Sequence, residues 1–152
     1  VYHAPLNGVA SQAMEDAWSR LTTGVKPAPC SVEVKGRKVL VPRAAMGIAR
    51  FHFDDLCRQP LGAADYLKIA RSFHTLLVDE IPQMGPESRN EAKRFVTLID
   101  ALYENKTKLV CSAQAIPDDL YPAGDGSFEF ERTASRLFEM QSEAYMSAGH
   151  AV

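Results

Sequence analysis

Thr75-Leu76-Leu77-Val78-Asp79-Glu80 is the run whose residue types most directly suggest catalysis, an apolar strand ending in two adjacent carboxylates. Such an acidic pair can hold magnesium and polarise water for phosphoryl transfer when a G-x-x-x-x-G-K-[ST] loop cradles the phosphates. No Gly-Lys pair occurs anywhere in the 152 residues. Asp79 and Glu80 therefore stand without a phosphate-binding counterpart, and a structural or loop-capping role is their alternative reading. The first residue is Val1 rather than Met, so the expectation is that a phosphate-binding part lies upstream. Independent magnesium-dependent catalysis by this pair would need a third carboxylate at the same sheet edge, which the sequence does not supply.

Arginines are the second source of chemistry. A permanently charged, planar guanidinium delivered from another domain or subunit stabilises charge developing on a transferring phosphoryl group. Arg132 and Arg136 stand four apart, on one helix face, with Glu139 three residues beyond Arg136. They are the candidate arginine finger or sensor, or else rungs of a solvated Arg/Glu ladder. Ser112 ends a short apolar run and is a candidate nucleotide contact alongside Asp79 and Glu80, or else bonds nearby backbone. Arg50, Arg89 and Arg94 are candidates for contact with an acidic partner, with pairing to a neighbouring carboxylate as the alternative for Arg50.

Other chemistries are disfavoured. His52 and His74 lack a second ligand at fixed spacing, so no metal site is expected. Cys30, Cys57 and Cys111 are odd in number and far apart, which argues against a disulfide framework or a zinc knuckle and favours a reducing compartment. No G-x-S-x-G elbow is present. The net charge of −2 gives no overall attraction to nucleic acid or anionic lipid. No apolar run approaches the roughly 18 residues of a membrane span.

The elements that must position these residues follow from periodicity. Ala10, Met14, Ala17, Trp18 and Leu21 recur at helical spacing, and Gly24 is a stop signal. Val32/Val34 and Val39/Val41 alternate on either side of Lys35-Gly36-Arg37, which predicts a hairpin. Residues 48–53 alternate as a strand, and a short helix is expected from about Ala63 to Ser72. Ser88-Arg89-Asn90-Glu91 has the spacing of a capping box before the stripe Ala92, Phe95, Val96, Ile99, Leu102 and Tyr103. Lys108–Ala113 is a further apolar run, so strand 75–80, helix and strand 108–113 form a βαβ unit with parallel strands. Its carboxyl edge, where open α/β sheets place ligands, would carry Asp79, Glu80 and Ser112. A last helix is expected from about Phe130 to Met146. The fold class is α/β, a parallel-sheet βαβ core with flanking helices and an N-terminal β-hairpin, in one domain over 1–152.

A family resemblance runs through nearly the whole chain. Val41-Pro42-Arg43-Ala44-Ala45, Gly47-Ile48-Ala49-Arg50-Phe51, Pro60-Leu61-Gly62-Ala63-Ala64-Asp65-Tyr66-Leu67, Arg89-Asn90-Glu91-Ala92-Lys93-Arg94-Phe95, Leu98-Ile99-Asp100-Ala101-Leu102-Tyr103 and Phe130-Glu131-Arg132-Thr133-Ala134-Ser135-Arg136-Leu137 carry it in order. Together they resemble the C-terminal half of the ZapE/Afg-type ATPases, the AAA+-like P-loop group that includes the mitochondrial lactation-elevated protein. The resemblance implies that the phosphate-binding loop and the genuine magnesium-binding Asp-Glu lie upstream, and that the chain alone is not catalytic. It also implies ATP and magnesium in the intact protein, with none expected for the fragment alone. Implied partners are its own N-terminal ATPase part, the tubulin-like division protein, membrane-associated protein substrates and other copies in an oligomer, without nucleic acid. The implied location is cytoplasmic in a bacterium, at times peripheral to the inner membrane, and mitochondrial in a eukaryote. The alternative from a different class is a stand-alone protein-interaction module without catalysis.

Overall fold

The computed structural model describes residues 1–151. Two tight turns set the first half of the architecture. Lys35 and Gly36 (φ 50° and 79°), then Met46 and Gly47 (φ 56° and 77°), are consecutive left-handed pairs, the conformation of type I′ hairpin turns whose twist matches flanking strands. They join β2 (Ala28–Val34), β3 (Arg37–Ala45) and β4 (Ile48–His52) into an antiparallel meander.

Parallel pairing begins at β4. His52 ends the strand and caps the short helix α2 (Phe53–Cys57), its Nδ1 accepting from the Asp54 N–H at 3.0 Å while the Asp55 carboxylate accepts from the His52 N–H. Helix α3 (Ala63–Ser72) then returns the chain to β5 (Thr75–Ile81), which pairs parallel with β4. Helix α4 (Arg89–Glu104) leads to β6 (Lys108–Ala113), parallel with β5 as the sequence predicts. The two-residue strand β1 (Tyr2–His3), which the sequence does not signal, pairs parallel with β6. The result is one mixed sheet ordered β1-β6-β5-β4-β3-β2. The expected hairpin is therefore not an appendage to a parallel core but the antiparallel end of the same sheet.

The two faces of the sheet are covered unequally. Helix α1 (Gly8–Thr22), capped by Asn7 accepting from the Ala10 N–H at 2.8 Å, lays Met14, Ala17 and Trp18 over Ile48, Leu77 and Val110. The opposite face carries the main core, in which Phe51, Phe53, Tyr66, Phe95 and Phe130 are buried beneath α2, α3, α4 and α5 (Ser127–Glu139).

Two local expectations are corrected. Ser88 does not cap α4: Pro86 opens a 3-10 turn over Pro86–Ser88, so Ser88 enters with φ −105° and ψ 25° and its side chain accepts no capping bond. The expected helix from Phe130 to Met146 begins earlier and breaks. Ser142, extended at φ −69° and ψ 151°, caps α6 (Glu143–Ser147) by accepting from the Tyr145 N–H. The break turns Tyr145 back to stack on Tyr103 with ring centroids 6.0 Å apart, and Lys108 Nζ donates to the Tyr145 and Ala148 carbonyls.

Candidate functional site

At the carboxyl end of β4 and β5, on the face under α1, lies a buried arginine. Arg50 is 5% exposed. Its Nε donates to Asp79 Oδ2 at 2.7 Å and its Nη2 to Asp79 Oδ1 at 3.0 Å, a fork that charge-assisted bonding makes strong and directional. Glu15 from α1 approaches Nη2 at 3.0 Å. Burial opposes the charge on Arg50, yet bonding to Asp79 and Glu15 outweighs it and leaves the guanidinium harder to deprotonate than usual. Nη1 is buried without a protein partner.

Glu80 faces elsewhere because the strand bulges. Val78 lies opposite Cys111 and Ile81 opposite Ala113, so Asp79 and Glu80 together oppose Ser112. Glu80 takes the left-handed conformation (φ 61°) this requires, and its N–H donates to Ser112 Oγ at 2.9 Å. Its carboxylate lies 3.0 Å from His52 Nε2. Because His52 Nδ1 accepts from backbone, the neutral ring carries its proton on Nε2 and donates it to Glu80. Asp79 and Glu80 are thus both engaged, and among the described residues no group of three or more His, Cys, Asp or Glu is arranged to hold a metal ion. The residues here do not fit magnesium on their own.

The two α5 arginines lie in the opposite layer. Arg136 Nη1 donates to Asp100 Oδ1 of α4, and its guanidinium sits 4.6 Å over the Tyr103 ring. The Tyr103 hydroxyl donates to Glu139, which pushes the phenol pKa up. Arg132 reaches the other Asp100 oxygen at 3.7 Å with its side chain 64% exposed, against 23% for Arg136. One carboxylate therefore receives both arginines, one firmly and one loosely. Arg94 donates to the Cys57 carbonyl at 3.1 Å, and Arg89 is exposed at the start of α4.

The structure thus brings Arg50, Asp79, Glu80 and Ser112 to one sheet edge, and keeps Arg132 and Arg136 apart from it. Asp100, Glu15 and the His52 pairing to Glu80 were not singled out from sequence. Asp100 carries a signal: it sits beside the apolar stripe of α4, where an acid can meet cations on a packed neighbour. Glu15 carries none, since it pairs with a strand 35 residues away (Arg50).

An α/β fold with one mixed sheet whose strands β4, β5 and β6 run parallel is the class these elements define. The chain belongs to the AFG1-like ATPase family, whose model matches residues 1–148. It is 34% identical over 151 residues to the cell division protein ZapE of Escherichia coli, covering 97% of this chain and 39% of that protein. It is 35% identical over 153 residues to lactation elevated protein 1 homolog B of Danio rerio, covering 80% of this chain and 30% of that protein. An uncharacterized protein of Schizosaccharomyces pombe is 34% identical over 143 residues, covering 76% and 32%. The chain spans between about a third and two fifths of the length of these relatives. No solved structure matches it.

Proposed function

We propose that the chain acts as the C-terminal part of a ZapE/Afg-type P-loop ATPase, coupling ATP hydrolysis to protein remodelling or cell division. Phosphates and magnesium would be held by residues outside these 152. The observation that carries this reading is the fork by which Arg50 occupies both carboxylate oxygens of Asp79, while Glu80, 62% exposed, is bonded to His52 through one oxygen. When bound, ATP and magnesium would supply the reactive phosphoryl group and its charge neutralisation. This chain would contribute arginine charge and a packed surface. Arg132 suits the role of reaching a neighbouring phosphate, because its 3.7 Å contact to Asp100 is easily left, whereas Arg136 would position it by holding Asp100. Among the described residues no helix is long and apolar enough to cross a membrane. Action in the cytoplasm of a bacterium, at times peripheral to its inner membrane, or in the mitochondrion of a eukaryote belongs to the same proposal.

Titration calorimetry of MgATP into the folded chain tests the first half. No detectable binding is expected, and micromolar binding would overturn the reading. The second half is tested in a protein of the relatives' length that contains this chain. Arg132→Ala there is expected to lower turnover by about a thousandfold while nucleotide binding persists. Unchanged turnover removes Arg132 from the nucleotide site.

A second reading, an interaction module without catalysis, draws support from α5, where Phe128 and Phe138 are 82% and 77% exposed. Double charge reversal of Arg132 and Arg136 separates the two. Lost turnover with partner binding retained favours the ATPase part, and the reverse favours the module.

A further inference from the structure

The sheet has an open internal slot. In the hairpin closed by Lys35-Gly36, Val34 faces Arg37, Val32 faces Val39 and Cys30 faces Val41. Residues flanking a two-residue turn exchange both backbone bonds, and alternate residues then turn outward. Lys38 and Leu40 therefore direct their N–H and C=O groups away from β2. On that side β4 pairs only with Arg43, Ala44 and Ala45, because the chain leaves the sheet at His52 to form α2. A bulge helps to end the pairing, the four residues Val41 to Ala44 of β3 spanning the three residues Cys30 to Ala28 of β2, with Pro42, which has no N–H, inside it. Half of β3 thus lies inside the sheet with an unpaired edge.

The space beside that edge is a groove of about 420 Å³, walled by Leu40 and Pro42 on one side and Gln59, Pro60 and Leu61 on the other. Leu40 is 66% exposed. Asp55 also lines the groove, and the turn end carries charges of both signs, its lysines being the unpaired cations. Arg37 is held by Asp65 at 2.6 Å, while among the described residues neither Lys35 nor Lys38 has a carboxylate within ion-pair distance, and Glu33 is the acidic cross-strand neighbour of Lys38.

We propose that this slot takes an extended segment of a partner protein, paired as an added strand along Lys38–Pro42, with apolar side chains against Leu40 and Leu61 and an acidic residue at the Lys35/Lys38 end. Backbone bonds supply the affinity of such strand addition and alternate side chains its specificity. The surface is separate from both the Arg50 cluster and the α5 arginines, and needs no nucleotide.

The test uses the whole chain and a fluorescent, end-blocked hexapeptide of two glutamates followed by alternating valine and threonine. Saturable anisotropy is expected, weakened by added salt, with the Lys38 and Leu40 amide resonances shifting. Lys38→Glu is expected to weaken binding by about tenfold or more. Leu40→Pro removes only an outward N–H and is expected to abolish it, with thermal unfolding close to the parent's. A peptide whose glutamates are replaced by lysines should not bind. Absence of saturable binding at millimolar peptide, or shifts that bypass Lys38 and Leu40, would overturn the proposal. So would a peptide-free dimer in sedimentation that Leu40→Pro dissolves, since a second copy would then fill the slot.

Discussion

Arg50 and Asp79 form a forked pair between adjacent parallel strands, Arg50 5% exposed and the Asp79 side chain 21% exposed. Removing one member of such a buried pair strands the other's charge, a loss larger than the pair's net worth. Asp79→Ala is expected to destabilise by about 3 kcal/mol or more, read from urea unfolding. Glu15→Ala, whose side chain is 54% exposed, should cost less than about 1 kcal/mol. Equal costs would mean that Arg50 depends on α1 as much as on β5.

Asp100 gathers two arginines of unequal exposure, so their couplings should differ. A double-mutant cycle between Arg136→Ala and Asp100→Ala is expected to give about 1 kcal/mol of interaction, and the cycle with Arg132 less than about 0.5 kcal/mol. A larger coupling for Arg132 would contradict the loose contact and remove its claim to mobility.

Gly36 and Gly47 share a left-handed backbone, φ 79° and 77°, but differ in surroundings. A Cβ on Gly36 meets nothing within 4 Å, whereas one on Gly47 would lie 2.8 Å from the His74 ring. Gly36→Ala should cost about 1 kcal/mol from backbone strain alone, and Gly47→Ala more, because His74 is also fixed by its bond to the Met46 carbonyl. Parity in thermal unfolding would show that the ring swings aside freely.

The three thiols should separate by accessibility and proton affinity. Cys30 is exposed, while Cys57 and Cys111 are buried. Burial pushes the Cys111 thiol up to about 12 and raises Cys57 as well. An aromatic disulfide reagent at mildly alkaline pH should titrate one thiol in the native chain and three after unfolding. The same shifts set a pH trend. These thiols remain protonated when folded but ionise when unfolded, so their contribution is complete below the ordinary thiol pKa and is lost as pH rises toward the folded values.

Local pattern was enough for much of this fold. The period-2 runs around Lys35-Gly36 and the helical stripe between two apolar runs announced the hairpin and the βαβ unit, because burial on one face dictates where apolar residues recur. What stayed hidden depends on neighbours remote in sequence. Tyr2–His3 is too short to show a period, and it is placed by backbone pairing with β6 and by the Tyr2 hydroxyl donating to the Ala115 carbonyl. The break before Ser142 reflects the pull of Tyr103 and Lys108 on the segment that follows. At the site, the alternative reading of Arg50 named a carboxylate partner but not which one. That choice is made by strand register, which places His52 opposite Asp79 and so brings Arg50, two residues earlier, within reach.

The small cluster beneath α1 bears on local stability. Six residues, Met14, Ala17, Trp18, Ile48, Leu77 and Val110, hold this helix to the sheet, while the other face is secured by the far larger core. Regions with few buried contacts open first, below the free energy of global unfolding. Helix α1 is therefore expected to open below the free energy of global unfolding, and its excursions would hydrate Arg50 Nη1 and release Glu15 without disturbing the fork to Asp79. Amide protons of α1 would exchange ahead of those in β5, making the arginine's isolation a property of one helix's docking rather than of the fold as a whole.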